Sequence, residues 1–319
     1  MVSGLKVGMH LHPERGVDAL LAEARAADEQ GYDSVWLADH LMREPEDPDG
    51  GLDSFTLMTA VAAQTRKVRL AWGALNPSFR RPAILAKMLA TLDRVSHGRV
   101  ICTLGAGSDK SEYAPYELEW IEDHDARIAY GREVALAFKQ LWTHPAPERT
   151  TFEGTYVRIR DLAFNPAPYQ QPHPPIWAAG NSEATQKLVK EYADGWMLLT
   201  RSDPRAVVEQ ARRAPDWPDR PLEIVAAAKV IAADTAAQAD RLARSMYEAT
   251  PAAVRLASFE AFARDAIVGT PETCAAALLD RRAWGLTYVR VTFPDAVQQA
   301  YFAKSVLPLV RDGERPTSA

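Results

Sequence analysis

The sequence predicts an α/β protein folded as one closed (β/α)8 barrel, a TIM barrel with insertions, over residues 1–319. Three observations carry that prediction. Eight short β-type runs alternate with helix-type runs, and such alternation builds a parallel sheet whose economical closed form is the barrel. The chain of 319 residues has the size of such a barrel. No Gly/Ser-rich linker or composition break divides it. The rival, an open doubly wound sheet, would want a Gly-rich turn after the first strand, and "HLHPERG" is a poor one.

The elements follow in order. "LKVGMHLH" reads as the first strand, and "VDALLAEARAADEQG" has apolar residues at helical spacing until Gly31 stops it. "DSVWLADH" is the second strand and "SFTLMTAVAAQT" the helix after it. "VRLAWGAL" is the third strand, and Pro82 is placed to open the next helix, which Gly98 ends. "RVICTLGAG" is the fourth strand, followed by the long helix "DARIAYGREVALAFKQLW". "FEGTYVRIRDLAFNPAP" reads as a β-hairpin inserted at about 145–172. "PPIWAAG", "DGWMLLT", "LEIVAAAKVIAA" and "LTYVRVTFP" are strands five to eight. A helical insertion is expected at about 235–268. The helix "TPETCAAALLDRRAWG" carries Thr270 as cap, Pro271 at its first position and Gly285 after its end.

Composition narrows the function classes. Apolar residues make up 47% and charged residues 25%, the mix of a soluble globular protein. A net charge of -5 argues against a nucleic-acid partner. No apolar run approaches the ~20 residues that span a bilayer, and "MVSGLKVGMH" lacks the apolar core of a secretory signal. Cys102 and Cys274 sit far apart in apolar segments, which suits two buried thiols in a cytoplasmic protein. A cytoplasmic chain with no membrane contact is therefore expected.

Barrel chemistry sits at the C-terminal ends of the strands. His10 and His12 end the first strand on one side of it. A metal amidohydrolase would use such a pair, but strands five and six end without a His, so no metal site is expected. Asp39 and His40 end the second strand. A carboxylate beside an imidazole makes a usable acid or base near neutral pH, provided a turn lets the two cooperate; the plain alternative is a capping Asp and a solvated His. The third strand runs into "AWGALNPSFRRP", whose Gly73, Asn76 and Pro77 break its regularity. The fourth ends "GAGSDK", a poor dinucleotide fingerprint but a backbone that a flat ligand can approach, with Glu112 close behind. Gly180, Asn181 and Ser182 open the helix after strand five, where an anion site and simple capping by Ser182 use the same geometry.

Together these segments resemble the bacterial-luciferase-like flavin-dependent oxidoreductases. The motifs that carry the likeness are "DSVWLADHL", "NPSFRRPAILAKMLATLDRVSHGR", "LGAGSDKSEY", "FEGTYVRIRDLAFNPAP", "PHPPIWAAGNS" and "YADGW", strongest from about residue 5 to 200. The resemblance implies a barrel, usually dimeric, using either coenzyme F420 or reduced FMN. It also implies a non-prolyl cis peptide near Gly73-Ala74 or Ala74-Leu75, in a bulge that props the tricyclic ring. The implied cofactor-binding residues are Gly73, Ala74, Asn76, Gly105, Ala106, Gly107, Gly180, Asn181 and Ser182. His40, supported by Asp39, is the implied catalytic group, with Glu112 as second acid. His10, His12 and Trp72 would shape the substrate pocket. Arg80 and Arg81 are read as surface cations. Ser108 stands where members often carry Trp, and Arg81 where many carry His, so both departures fall near the substrate.

"Asp-His" at the end of strand two and "NPSFRRPAILAK" resemble the F420 branch, whose deazaflavin passes hydride to or from a small organic substrate. The alternative is an FMNH2- and O2-dependent monooxygenase fed by a separate flavin reductase. A metal-dependent amidohydrolase and a non-catalytic flavoprotein are remoter alternatives. A homodimer is expected.

Overall fold

The computed structural model describes residues 4–42, 51–199, 203–250 and 256–313. Its centre is a barrel of eight parallel strands. In chain order these are β1 (Lys6–His10), β2 (Ser34–Leu37), β3 (Arg69–Trp72), β4 (Val100–Leu104), β7 (Ile176–Ala179), β8 (Gly195–Met197), β9 (Glu223–Ala232) and β11 (Tyr288–Thr292). Each pairs with the next, β8 with β9, and β11 closes onto β1 through Lys6↔Tyr288 and Val7↔Val289. An antiparallel hairpin of β5 (Thr150–Glu153) and β6 (Arg158–Leu162) lies between β4 and β7 in the chain.

One strand departs from the expected pattern. β10 (Ala266–Gly269) begins inside the stretch expected to be helical, after α7 (Ala236–Ala249) and α8 (Phe259–Asp265). β9 is ten residues long, and its last four, Lys229–Ala232, pair with β10; of these only Lys229 still pairs with a barrel strand, through Thr292 of β11. The expected end of strand six near Thr200 and Arg201 lies outside the described residues.

Side chains alternate across each strand, and two cores result. Trp36, Ala71, Ile101, Trp177, Val225 and Tyr288 fill the lumen as one cluster. The rings of Trp36, Trp177 and Tyr288 lie about 6 Å apart, at 5.8 and 6.1 Å. The intervening positions, such as Leu37, Leu70 and Trp72, join the larger core under the helices. The packed lumen leaves the strand C-termini as the open end. Cys102 and Cys274 are buried free thiols, and burial pushes the Cys274 thiol up to about 11.

Local signals place the helices that rim that end. Asp53 caps α2 (Ser54–Gln64) by accepting from Thr56 N at 2.7 Å. Pro82 opens α3 (Pro82–Val95), and Asp123 caps α4 (His124–Thr143). Ser182 caps α5 (Glu183–Glu191) by accepting from Thr185 N at 3.2 Å. Substituting such caps by Ala typically costs about 1 kcal/mol.

Candidate active site

The ends of β2, β3, β4 and β7 enclose a cavity of about 370 Å³, within the range of small-molecule pockets. Asp39, His40, Glu112, Gly73, Ala74, Asn76, Gly105, Ala106, Gly107, Gly180, Asn181 and Ser182 all line it. Leu75, Phe79, Ser108, Asp109, His124, Ala179, Thr185 and Leu199 complete the wall.

The bulge after β3 forms one side. The peptide bond Gly73–Ala74 is cis. Ladder bonds continue on either side of it, from Gly73 N to Leu37 O at 2.8 Å and from Leu75 N to Thr103 O at 2.8 Å. Asn76 N then donates to Asp39 Oδ2 at 3.0 Å. Asp39 also accepts from Ser54 Oγ at 2.6 Å and from both terminal nitrogens of Arg80. Arg80 reaches on to Asp53 at 2.8 Å. The Arg80 side chain is 11% exposed, so it is not a surface cation. Burial lowers its pKa, but Asp39 and Asp53 outweigh that and raise it. Asp39 therefore holds the bulge in shape.

This corrects the expected pairing of Asp39 with His40. Adjacent side chains leave an extended backbone on opposite sides, and the two do not bond. The carboxylate that meets His40 is Glu112, 72 residues away, whose Oε1 lies 2.6 Å from Nδ1. Glu112 is 3% exposed and also accepts from Leu41 N at 3.3 Å. An ionised carboxylate only accepts, so Nδ1 carries the proton toward Glu112. Nε2 is then the ring nitrogen able to exchange a proton with a bound molecule.

The adjoining wall is built from glycine and small polar residues. Gly107 has φ +73°, and a methyl group there would lie 2.5 Å from the Tyr113 hydroxyl and 3.0 Å from Asn76 Nδ2. Those two groups bond each other at 2.8 Å. Gly180 has φ +140° and turns the chain into α5. The Asn181 amide is used structurally, donating to Leu199 O at 3.0 Å and accepting from Leu199 N at 2.9 Å. Gly180, Asn181 and Ser182 thus line the cavity at the start of α5, with the Gly180 amide donating to Met197 O at 3.0 Å and the Asn181 side chain committed to Leu199.

The three residues expected to shape the substrate pocket do not line this cavity. Trp72 is fully buried in the outer core, stacked on Phe55 at 5.3 Å and donating to Ser54 at 3.2 Å. The His10 and His12 rings meet edge to face at 5.2 Å, and His12 Nε2 lies 3.1 Å from Thr292 Oγ1. Among the described residues no three His, Cys, Asp or Glu side chains gather as a metal-binding group. Arg80, Tyr113 and His124 were not expected at the site. Tyr113 had a signal, since it closes the quoted "LGAGSDKSEY".

Comparison with known proteins agrees with this fold. The model of the luciferase-like monooxygenase family matches residues 1–288. An F420-dependent glucose-6-phosphate dehydrogenase of Microbacterium testaceum is 31% identical over 218 residues, 68% of this chain and 63% of that protein. The match thus spans less than two thirds of that relative's length. An FMNH2-dependent dimethylsulfone monooxygenase of Pseudomonas putida is 28% identical over 302 residues, 85% of this chain and 82% of the relative. Among solved structures, the monooxygenase RslO1 of Streptomyces bottropensis superposes with a TM-score of 0.78 at 27% identity, covering 95% of this chain and 99% of that one.

Proposed function

The chain belongs to the luciferase-like monooxygenase family, and from that premise we propose that it is an oxidoreductase using coenzyme F420 for hydride transfer with a small organic substrate. The observation that carries this is the cavity itself. A glycine-lined slot, with the Gly73–Ala74 bulge on one side and the His40–Glu112 pair at its edge, suits a flat ring system. A side chain at Gly107 would collide with the bonded Tyr113 hydroxyl and Asn76 amide and so displace the wall of that slot.

The bound coenzyme would supply the hydride chemistry. The residues of this chain then have separate tasks. Gly73 and Ala74 support the ring, and Gly105 to Gly107 let it approach the backbone. The amides of Asn181 and Ser182 at the start of α5 suit the coenzyme's phosphate, whereas the Gly180 amide donates to Met197 O. His40 exchanges a proton with the substrate through Nε2, while Glu112 fixes its tautomer and orientation. Asp39 positions the bulge and takes no part in proton exchange.

The second reading is an FMNH2-dependent monooxygenase with a separate reductase, and the similarity to the dimethylsulfone enzyme over most of both chains favours it. One comparison separates the two. Small alcohols and aldehydes are screened with F420, and oxygen uptake is followed with FMN and a flavin reductase. Turnover with F420 under anaerobic conditions supports the proposal. Turnover only with reduced FMN and oxygen would replace it.

We also propose a homodimer. α2 and α3 form a largely apolar groove on which Ile84 is 56% and Val95 48% exposed, beside Phe55, Ala63 and Met88. Light scattering should give twice the chain mass, and a value near 35.2 kDa would count against the pairing. No helix among the described residues is long and apolar enough to cross a membrane.

A further inference from the structure

The floor of the barrel mouth holds a cation that the site above does not use. Val289 and Val291 are fully buried in the outer core, so Tyr288, Arg290 and Thr292 of β11 face the lumen. Tyr288 is 1% exposed, whereas Arg290 and Thr292 are partly open to solvent. Arg290 stands where the packed core gives way to the mouth. Its guanidinium reaches across the lumen. Cζ lies 6.0 Å from the ring centre of Trp36 on β2. A methyl group built on Gly73, after β3, would lie 3.3 Å from Cζ and collide with Nη1.

Among the described residues Arg290 has neither a hydrogen bond nor an ion pair, and its charge meets the face of Trp36. Burial pushes its pKa down to about 10, which leaves it cationic at neutral pH. Two other arginines inside the fold are treated differently. Arg99 donates to Ser96, Thr65, Val68 and Ala62, and Arg80 is clamped by Asp39 and Asp53. A desolvated charge left without partners is unfavourable, and a ligand anion would offset that cost.

The cofactor cavity draws its walls from β2, β3, β4 and β7, whereas Arg290 approaches Gly73 from the lumen side and from another strand. Its Nη1 therefore lies against Gly73, at the edge of the ring seat. We propose that Arg290 is a substrate-binding residue that holds an anionic group of the substrate, a carboxylate or sulfonate. This deepens the function proposed above and rests on it. The planar fork of guanidinium donors matches a two-oxygen acceptor, which a neutral alcohol does not supply.

The test is titration of the full chain, with and without F420 or FMN, using propionate, ethanesulfonate and the neutral 1-propanol as probes, read by calorimetry or ligand-observed NMR. Wild type should prefer the anions by about 10-fold or more, the scale of one charge-assisted hydrogen bond. Arg290→Met should lose that preference and Arg290→Lys keep part of it. Circular dichroism checks the fold. If Arg290→Met does not fold, the wild-type ratio and Arg290→Lys decide. Equal binding of anions and 1-propanol by wild type, or an unchanged preference in a folded Arg290→Met, overturns the proposal. So does a loss of cofactor affinity alone, which would assign the guanidinium to the cofactor. An anion preference in a chain that binds neither cofactor would support the anchor and overturn the cofactor reading.

Discussion

The ends of β2 and β11 both bring a charged side chain to the barrel mouth, and the protein treats the two in opposite ways. Asp39, after β2, is saturated: Ser54, the Asn76 amide and both arms of Arg80 take its oxygens. Arg290, on β11, has no such partner among the described residues. His40 stands between these extremes, with Nδ1 committed to Glu112 and its ring on the cavity. A saturated charge builds shape, and a half-committed or uncommitted one is available to a ligand. Adjacency in the sequence does not tell these cases apart.

The widest separation should appear at His40. Replacing it by Ala should lower turnover by about 10²–10⁴, or about 2.7–5.5 kcal/mol of barrier, the usual weight of a positioned acid or base. Cofactor affinity should move by no more than about 2-fold, since the ring seat and the α5 amides are untouched. Steady-state kinetics at saturating cofactor, paired with a binding titration, reads both. Normal turnover would make His40 a packing residue and turn attention to Glu112.

Asp39 should show the reverse pattern. Asp39→Ala leaves Arg80 facing only Asp53 and the Asn76 amide without its acceptor. Removing one partner of such a buried pair costs about 3–5 kcal/mol, measurable as a shift of the urea midpoint. Asp39→Asn should cost less, because it keeps the shape and one acceptor oxygen. If Asp39→Ala were as stable as wild type yet inactive, Asp39 would belong with the proton-transfer groups after all.

Much of the barrel was legible because its signals are local and repeated. Eight apolar runs with helix caps between them define the strands, and Thr270, Pro271 and Gly285 bracket α9 (Pro271–Ala283) closely. β10 was not legible, because its four residues pair only with the end of β9, most of which outruns the barrel. The residues around the cavity were legible as types and not as partners. Glycines at the ends of β4 and β7 mark a close approach by themselves. The partner of His40 depends on where residue 112 returns in space, and Arg80 looked like one of two surface cations until Asp39 and Asp53 closed on it. Arg290 carries a usable signal: in "LTYVRVTFP" it falls on the same alternate face as Tyr288, an inward phase where a barrel strand rarely places a charge.

The central claim is that the slot between the Gly73–Ala74 bulge and Gly107 seats a flat, flavin-type ring. Calorimetric titration of wild type and Gly107→Ala with F420 and with FMN tests it most directly. Wild type should bind one of the two, one molecule per chain. Gly107→Ala should bind it at least about 10-fold more weakly, because the added methyl group meets the Tyr113 hydroxyl at 2.5 Å on a backbone with φ +73°. Unchanged affinity in Gly107→Ala, or no binding of either cofactor to wild type, would contradict the account.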